Sequence, residues 1–167
     1  MIGICFCISV SLTVVFSDFV IKGGKIVNSN NGPIEFDLTN DNTANITMSP
    51  NGMLGIGVLN PQSSVDLSGS IGMSSELFTA NGTVSDNTIV LGDTSSGNIT
   101  LTLPTPSTVT GRIYQIKKIS ADNDLIVTSS TNIDNSSTVT LNTTTHGYPF
   151  LNVYSSGAQW YITSRSD

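Results

Sequence analysis

The sequence is poor in charge, and this excludes one broad class of partner. Charged residues make up 11% of its 167 residues, with six Lys or Arg against twelve Asp or Glu. This share is less than half of the roughly 25% that is usual in globular proteins. A nucleic-acid-binding protein needs a basic stripe to displace counterions, and a formal net charge of −6 argues against one. We therefore expect no nucleic-acid partner.

Cysteine and histidine are almost missing, which excludes several kinds of chemistry. The two cysteines, Cys5 and Cys7, would face the same side of a strand, a poor geometry for a mutual disulfide. The single histidine, His146, cannot form a typical zinc site. No G-x-S-x-G element accompanies it as a sign of a serine nucleophile. We interpret His146 as a loop residue.

The acidic residues form no catalytic pair in the sequence. Most are scattered singly, and the two clusters, Asp122–Asp124 and Asn132–Asn135, have the composition of turns. The twelve-residue calcium loop with its closing Glu is missing. A small glycan hydrolase would need two facing carboxylates, and no such pair can be named. We predict that the protein is not an enzyme and uses no cofactor or metal.

Residues 2–16 form an uncharged, mostly apolar run. About 15 residues are too few for a comfortable membrane span, which needs about 20, but they suit the core of a secretory signal. Val15 and Ser17 are small enough to precede a cleavage site, although no Lys or Arg follows Met1. We predict an apolar leader over residues 1–17 and no stable membrane span. The alternative is an apolar strand that is retained in the mature protein.

The rest of the chain has the patterns of β-strands. It is rich in Ser, Thr and Asn, and apolar residues alternate with polar ones in short runs that end at Gly, Pro or Asn. Turn signals recur at intervals of roughly 8–12 residues in the C-terminal half, as in β-sandwiches and barrels. The sequence predicts an all-β protein. The clearest local predictions are a central strand over residues 112–119 and an antiparallel hairpin that pairs residues 150–154 with 159–162.

Two successive β-modules follow the leader. Residues 18–80 hold few large apolar side chains, too few to bury an adequate core, so this segment is more plausible wound around copies of itself. Residues 81–167 have longer strands and predict a compact antiparallel β-sandwich or barrel. We therefore expect a short β-rich shaft or neck followed by a head, intertwined as a trimer.

Aromatic residues near the C-terminus are the best candidates for contact with a receptor. Aromatic side chains flanked by Asn and Ser can stack on sugar rings or anchor a protein contact. Strand alternation sends Trp160 and Tyr161 to opposite faces, so at least one of them belongs in a core. Packing within the head or across a trimer is the alternative role. The candidates are Tyr148, Phe150, Tyr154, Trp160 and Tyr161.

Two stretches together resemble viral fibre proteins. Residues 51–71 resemble the glycine-rich element that marks the passage from shaft to head in viral tail fibres and related trimeric appendages. The C-terminal half resembles a fibre-head module, and the order of the two stretches is the expected one. The parts that carry the second resemblance are residues 99–104, 109–119, 133–137 and 151–162.

The resemblance implies a homotrimeric, phage-like fibre or spike protein that attaches a virion to a host surface through its C-terminal head. The implied partners are copies of itself, other virion proteins and a host-surface glycan or protein receptor. The implied location is the virion surface or the extracellular space. The alternative function is a secreted cellular carbohydrate-binding or adhesin-like β-domain.

Overall fold

The computed structural model describes residues 33–36, 45–142 and 148–166. The chain divides into two compact units, one that ends at Ser70 and one that begins at Ile71, here called the N-terminal unit and the head. The described residues form β-strands and one 3-10 turn, Pro106–Thr108, which confirms the all-β prediction. The predicted leader, with both cysteines, and His146 lie outside the described residues.

The N-terminal unit is a four-stranded sheet whose strands follow one another in chain order. The first two strand pairs are antiparallel and the last is parallel. A tight turn joins the second and third strands, where the Gly52 N–H donates to the Ser49 carbonyl at 3.0 Å. Gly52 has a φ of +78°, a conformation that glycine adopts without steric cost. The strands are β1 Ile34–Phe36, β2 Ile46–Met48, β3 Leu54–Ile56 and β4 Val65–Leu67.

The head is a nine-stranded sheet that curls into a nearly closed barrel. Its order is β5-β7-β9-β12-β13-β10-β8-β6, with β11 paired to β10. The strands are β5 Ser75–Phe78, β6 Gly82–Thr83, β7 Ile89–Gly92, β8 Ile99–Thr102, β9 Ile113–Lys118, β10 Leu125–Ile133, β11 Ser136–Leu141, β12 Phe150–Ser155 and β13 Trp160–Arg165.

β5 and β6 form the two ends of this sheet and are separated by only three residues. They therefore form one kinked strand that links the two edges of the sheet and nearly closes the barrel. The Ser85 hydroxyl donates to the Glu76 carboxylate at 2.8 Å beside the kink. A Cβ atom on Gly82 would lie 2.5 Å from the Phe78 ring, so a larger residue there would displace that ring. Residues 71–80 fall in the segment that was predicted as shaft, but they lie in the head. Within them, β5 pairs with β7 of the head sheet.

Strand directions in the head are mixed. Three pairs are antiparallel, β9–β12, β12–β13 and β10–β11, and the other five are parallel. The antiparallel arrangement predicted from the sequence therefore holds for only part of the barrel. The β12–β13 hairpin and the central position of β9, between β7 and β12, are confirmed. β13 joins the two halves of the sheet, and its contact with β10 is the single pair Ile133–Trp160.

The barrel interior holds the hydrophobic core. Alternate residues of each strand point inward, as the two-residue repeat requires. The largest core side chains, Trp160 and Tyr114, have ring centroids 5.4 Å apart. Each has a hydrogen-bond acceptor: the indole N–H donates to the Pro104 carbonyl at 3.1 Å, and the phenol donates to the Ser85 carbonyl at 2.7 Å. Burial raises the pKa of the Tyr114 phenol above its ordinary value.

A buried lysine is held by the loops that follow β7 and β9. Lys118 is fully enclosed, and its ammonium donates to the Ser120 carbonyl at 2.6 Å. The Thr94 and Ser120 hydroxyls lie 2.6 Å apart, and the Asn123 amide donates to the Thr94 carbonyl at 2.8 Å. These bonds, with Asn123 in the left-handed conformation, confirm that residues 122–124 serve a turn.

Lys118 should make stability rise with pH. Burial lowers the pKa of its ammonium below the ordinary 10.5, and the Asp124 and Asp122 carboxylates offset part of that effect. Between the lowered pKa and 10.5 the unfolded chain binds more protons than the folded one, so the free energy of unfolding increases with pH there. We expect the stability of the native protein relative to Lys118→Met to increase up to about pH 10.5, as measured by urea denaturation. Lys117→Met is the control, and parallel pH profiles for native protein and Lys118→Met would contradict the expectation.

Candidate binding surface of the head

One side of the barrel carries three parallel rows of outward-facing side chains, here called the outer face. Because β7, β9 and β12 present alternate residues inward to the core, the residues between them point outward together. The strand register then aligns them across the sheet, with neighbouring rows about 7 Å apart. The tyrosine row is Ile113, Tyr154 and Tyr161; the amide row is Ile89, Gln115 and Asn152; the lysine row is Leu91, Lys117 and Phe150.

The tyrosine row is the most exposed of the three. Tyr154 and Tyr161 are directly opposite each other on β12 and β13 and remain 37% and 44% exposed. Ile113, opposite Tyr154 on β9, is also exposed. Two phenol rings beside an aliphatic side chain provide a flat apolar surface with hydroxyl groups attached, which can contact a ligand by stacking and by hydrogen bonding.

The amide row lines a shallow depression. Gln115 and Asn152 are paired across β9 and β12, and neither side-chain amide hydrogen bonds to another group among the described residues. Each amide has two donor hydrogens and an acceptor oxygen. The depression measures about 250 Å³ and is lined by Ile89, Gln115, Ile116, Lys117, Phe150 and Asn152.

The lysine row holds the one charged side chain of the three rows. The Lys117 ammonium donates to the Tyr148 carbonyl and lies 5.9 Å from the centroid of the Phe150 ring. These contacts fix the ammonium at the edge of the depression and use part of its hydrogen-bonding capacity. The nine side chains of the three rows include no carboxylate, so the outer face is nearly neutral.

Three of the five candidate contact residues lie together on the outer face, and one is buried in the core. Tyr154, Tyr161 and Phe150 lie on the outer face, while Tyr148 is exposed just before β12 and holds Lys117 through its carbonyl. Trp160 has no exposed surface. Its prediction as a receptor contact is therefore wrong, because alternation along β13 turns it into the core and turns Tyr161 outward.

Sequence reasoning missed the residues that β9 contributes to the outer face. Ile113, Gln115 and Lys117 alternate with buried residues, and that alternation is visible in the sequence. The sequence patterns do not show that β9 pairs with β12, which places Gln115 beside Asn152. The sequence predicted β9 as a central strand, which its place between β7 and β12 confirms. Only the face that carries Tyr114 and Ile116 is fully buried.

A second surface, in the N-terminal unit, also lacks a covering element among the described residues. One face of the sheet is apolar along all four strands, and its side chains are partly or largely exposed; Met48 is 47% and Val65 55% exposed. This surface, here called the apolar face, runs in two rows across the strand register. Its described side chains are Phe36, Ile46, Met48, Leu54, Ile56, Val65 and Leu67.

The opposite face of that sheet is covered at its two central strands, β2 and β3, by the chain that leaves β3. Thr47 is only 1% exposed, and Gly55 beside it is buried. A Cβ atom on Gly55 would lie 2.1 Å from the Val58 carbonyl oxygen, so this segment crosses directly over the strand. The small and polar face is therefore covered at the two central strands, while Glu35 on β1 is exposed. The described side chains of the apolar face are partly or largely exposed.

The outer face and the apolar face, and not similarity to a known protein, are the features from which a function can be proposed. The chain matches no protein-family model and no curated protein. Within the described ranges, no helix is long and apolar enough to cross a membrane, and no group of three or more His, Cys, Asp or Glu could hold a metal ion.

Proposed function

We propose that the protein is a homotrimeric virion fibre or spike protein whose N-terminal unit packs against two other copies and whose head contacts a host surface. The observation that carries the proposal is the exposed apolar face, on a sheet whose two central strands are covered on the opposite side by their own chain. A sheet that stood alone would be expected to place its loop over the apolar side.

Three copies offer a simple way to bury the apolar face. Around a threefold axis each sheet can turn this face toward the other two, and the assembly closes without leaving a copy unpaired. Full burial of an aliphatic or aromatic side chain contributes about 1.5–3 kcal/mol, so a side chain that is 36–55% exposed in one chain contributes about half of that when it becomes buried. Phe36, Met48, Ile56 and Val65 are all exposed and available for this contact. The apolar face thus has enough hydrophobic surface to drive association.

The order of the modules agrees with the resemblance to viral fibres. The segment that resembles the shaft-to-head element, residues 51–71, contains β3 and β4 of the N-terminal unit. The stretches that resemble a fibre head lie in the barrel. Three linked heads would present three outer faces to one surface, and linkage raises the combined affinity even when each contact is weak.

A secreted cellular carbohydrate-binding or adhesin-like domain is the second candidate function. The observation in its favour is the outer face itself, since its three rows belong to one chain and need no partner copy. A domain that acts without partner copies would leave the apolar face of the N-terminal unit exposed to solvent.

The oligomeric state of the full chain separates the two candidates. We expect sedimentation equilibrium on the full chain to give a mass of three times 17.6 kDa. A stable monomer would contradict the fibre proposal and favour the cellular domain. A variant without residues 1–17 should remain trimeric, and a change to monomer would instead implicate the apolar leader in the assembly.

Attachment is tested with fluorescently labelled protein and a panel of bacterial and eukaryotic cells. The native trimer should label at least one cell type at its surface, and monomeric variants should label the same cells much more weakly. A trimer that adheres to no cell would contradict the attachment role.

A further inference from the structure

We propose that the outer face binds a neutral oligosaccharide, with one sugar ring in the depression at Gln115 and Asn152 and a neighbouring ring on Tyr154 and Tyr161. The inference rests on the proposed function, since it names the class of receptor that the head would contact. It is carried by the geometry and chemistry of the three rows.

The amide row supplies the hydrogen bonds that a sugar ring needs. Sugar hydroxyls both donate and accept. The side-chain amides of Gln115 and Asn152, which hydrogen bond to no other group among the described residues, do the same. The depression, at about 250 Å³, is smaller than the roughly 300–1,000 Å³ of pockets for drug-sized ligands, so it suits a single ring. A polar ligand that bonded both amides at once would be oriented across β9 and β12.

The tyrosine row supplies the apolar contact. Tyr154 and Tyr161 are adjacent, partly exposed and held by the paired strands of the β12–β13 hairpin. The C–H faces of a sugar can pack on such rings while the phenol hydroxyls reach its edge. Because this row is about 7 Å from the amide row, it suits a second ring of the same chain.

Charge favours a neutral glycan over an acidic one. Lys117 is the single charged residue of the outer face, and its ammonium already donates to the Tyr148 carbonyl beside Phe150. Sites for acidic groups typically offer several unshared cationic donors, above all arginine. The outer face has no arginine in its three rows and no carboxylate that would select a cationic ligand.

Backbone pairing argues against an added peptide strand. β9 pairs with β7 and β12, and β12 pairs with β9 and β13, so the strands that carry the amides have no free edge. A peptide could not extend the sheet at this place, as it does in edge recognition. The outer face, with its amides, phenol hydroxyls and one ammonium, also differs from the continuous apolar face, which suits a second copy.

The test uses the full chain and a glycan array of neutral and acidic oligosaccharides, followed by calorimetry with hexasaccharides of glucose, mannose, galactose and N-acetylglucosamine. We expect binding to at least one neutral glycan. Tyr161→Ala and Gln115→Glu should each weaken that binding about tenfold or more, which corresponds to 1.4 kcal/mol. Asn98→Asp adds the same charge elsewhere on the head and keeps the oxygen that accepts the Asp124 N–H, so it should bind as the native protein does.

Three results would overturn the inference: binding to acidic glycans alone, no binding to any neutral glycan, or equal binding by the native protein and both variants. The mass of every variant is measured in parallel. A trimer that adheres to cells but binds no glycan overturns the sugar inference and leaves the proposed function intact. A monomer that binds a neutral glycan overturns the proposed function and leaves the sugar inference intact.

Discussion

Replacing Ile56 with aspartate is expected to convert the trimer into folded monomers. Ile56 is 42% exposed within one chain, so the isolated unit should tolerate the carboxylate. In a trimer the same position would bury three unpaired charges. An uncompensated buried charge costs roughly 3–5 kcal/mol, which corresponds to at least a hundredfold weaker association. Sedimentation equilibrium measures the mass, and circular dichroism reports whether the strands are retained.

The matched control for Ile56→Asp is Asn51→Asp. Asn51 is exposed in the turn between β2 and β3, so its substitution adds one negative charge to the same unit outside the apolar face. This variant should remain trimeric. If Ile56→Asp also remained trimeric, the apolar face would not be the interface between copies, and the proposal would lose its main support.

The Trp160→Ala variant is expected to lose about 3–5 kcal/mol of stability, a large part of the roughly 5–15 kcal/mol that a domain possesses. Trp160 is fully buried in the barrel beside Tyr114, and its removal leaves a large cavity and an unpaired Pro104 carbonyl. Its strand is also the connection between the two halves of the sheet. Urea denaturation followed by circular dichroism measures the loss.

The neighbouring substitution Tyr161→Ala serves as the control for Trp160→Ala. Tyr161 lies on the same strand with its side chain on the outer face, so its truncation should cost less than about 1 kcal/mol. Comparable losses at both positions would contradict the assignment of faces on β13. Trp160 is the only tryptophan in the chain, so its fluorescence should report the unfolding of the native head.

The sequence was sufficient for local structure. Alternation around Tyr154 and Tyr161 predicts the closing hairpin, and alternation requires that Trp160 and Tyr161 face opposite ways. These features depend on residues that are close in the chain. Which of the two aromatic residues is buried depends on the curvature of the whole barrel, and the pattern of one strand does not contain that information.

Long-range pairing was the part that the sequence could not supply. Apolar and polar residues alternate in the same way in parallel and antiparallel strands. The alternation therefore does not indicate the direction in which two strands of the head pair. The place of residues 75–78 in the head depends on their pairing with β7. The apolar face follows a similar rule: each strand shows its alternation, but the two continuous rows arise from register across four strands.

The position of β13 has a consequence for biosynthesis. This strand lies inside the sheet order, between β12 and β10, although it follows the other described strands of the head in sequence. A growing chain therefore holds two incomplete sheets until the ribosome has released β13, and during that time the edges of β12 and β10 are open to other chains. Closure of the head must come after translation of its last strand. Until then, the open strand edges of neighbouring nascent chains on one messenger RNA would be able to pair with each other.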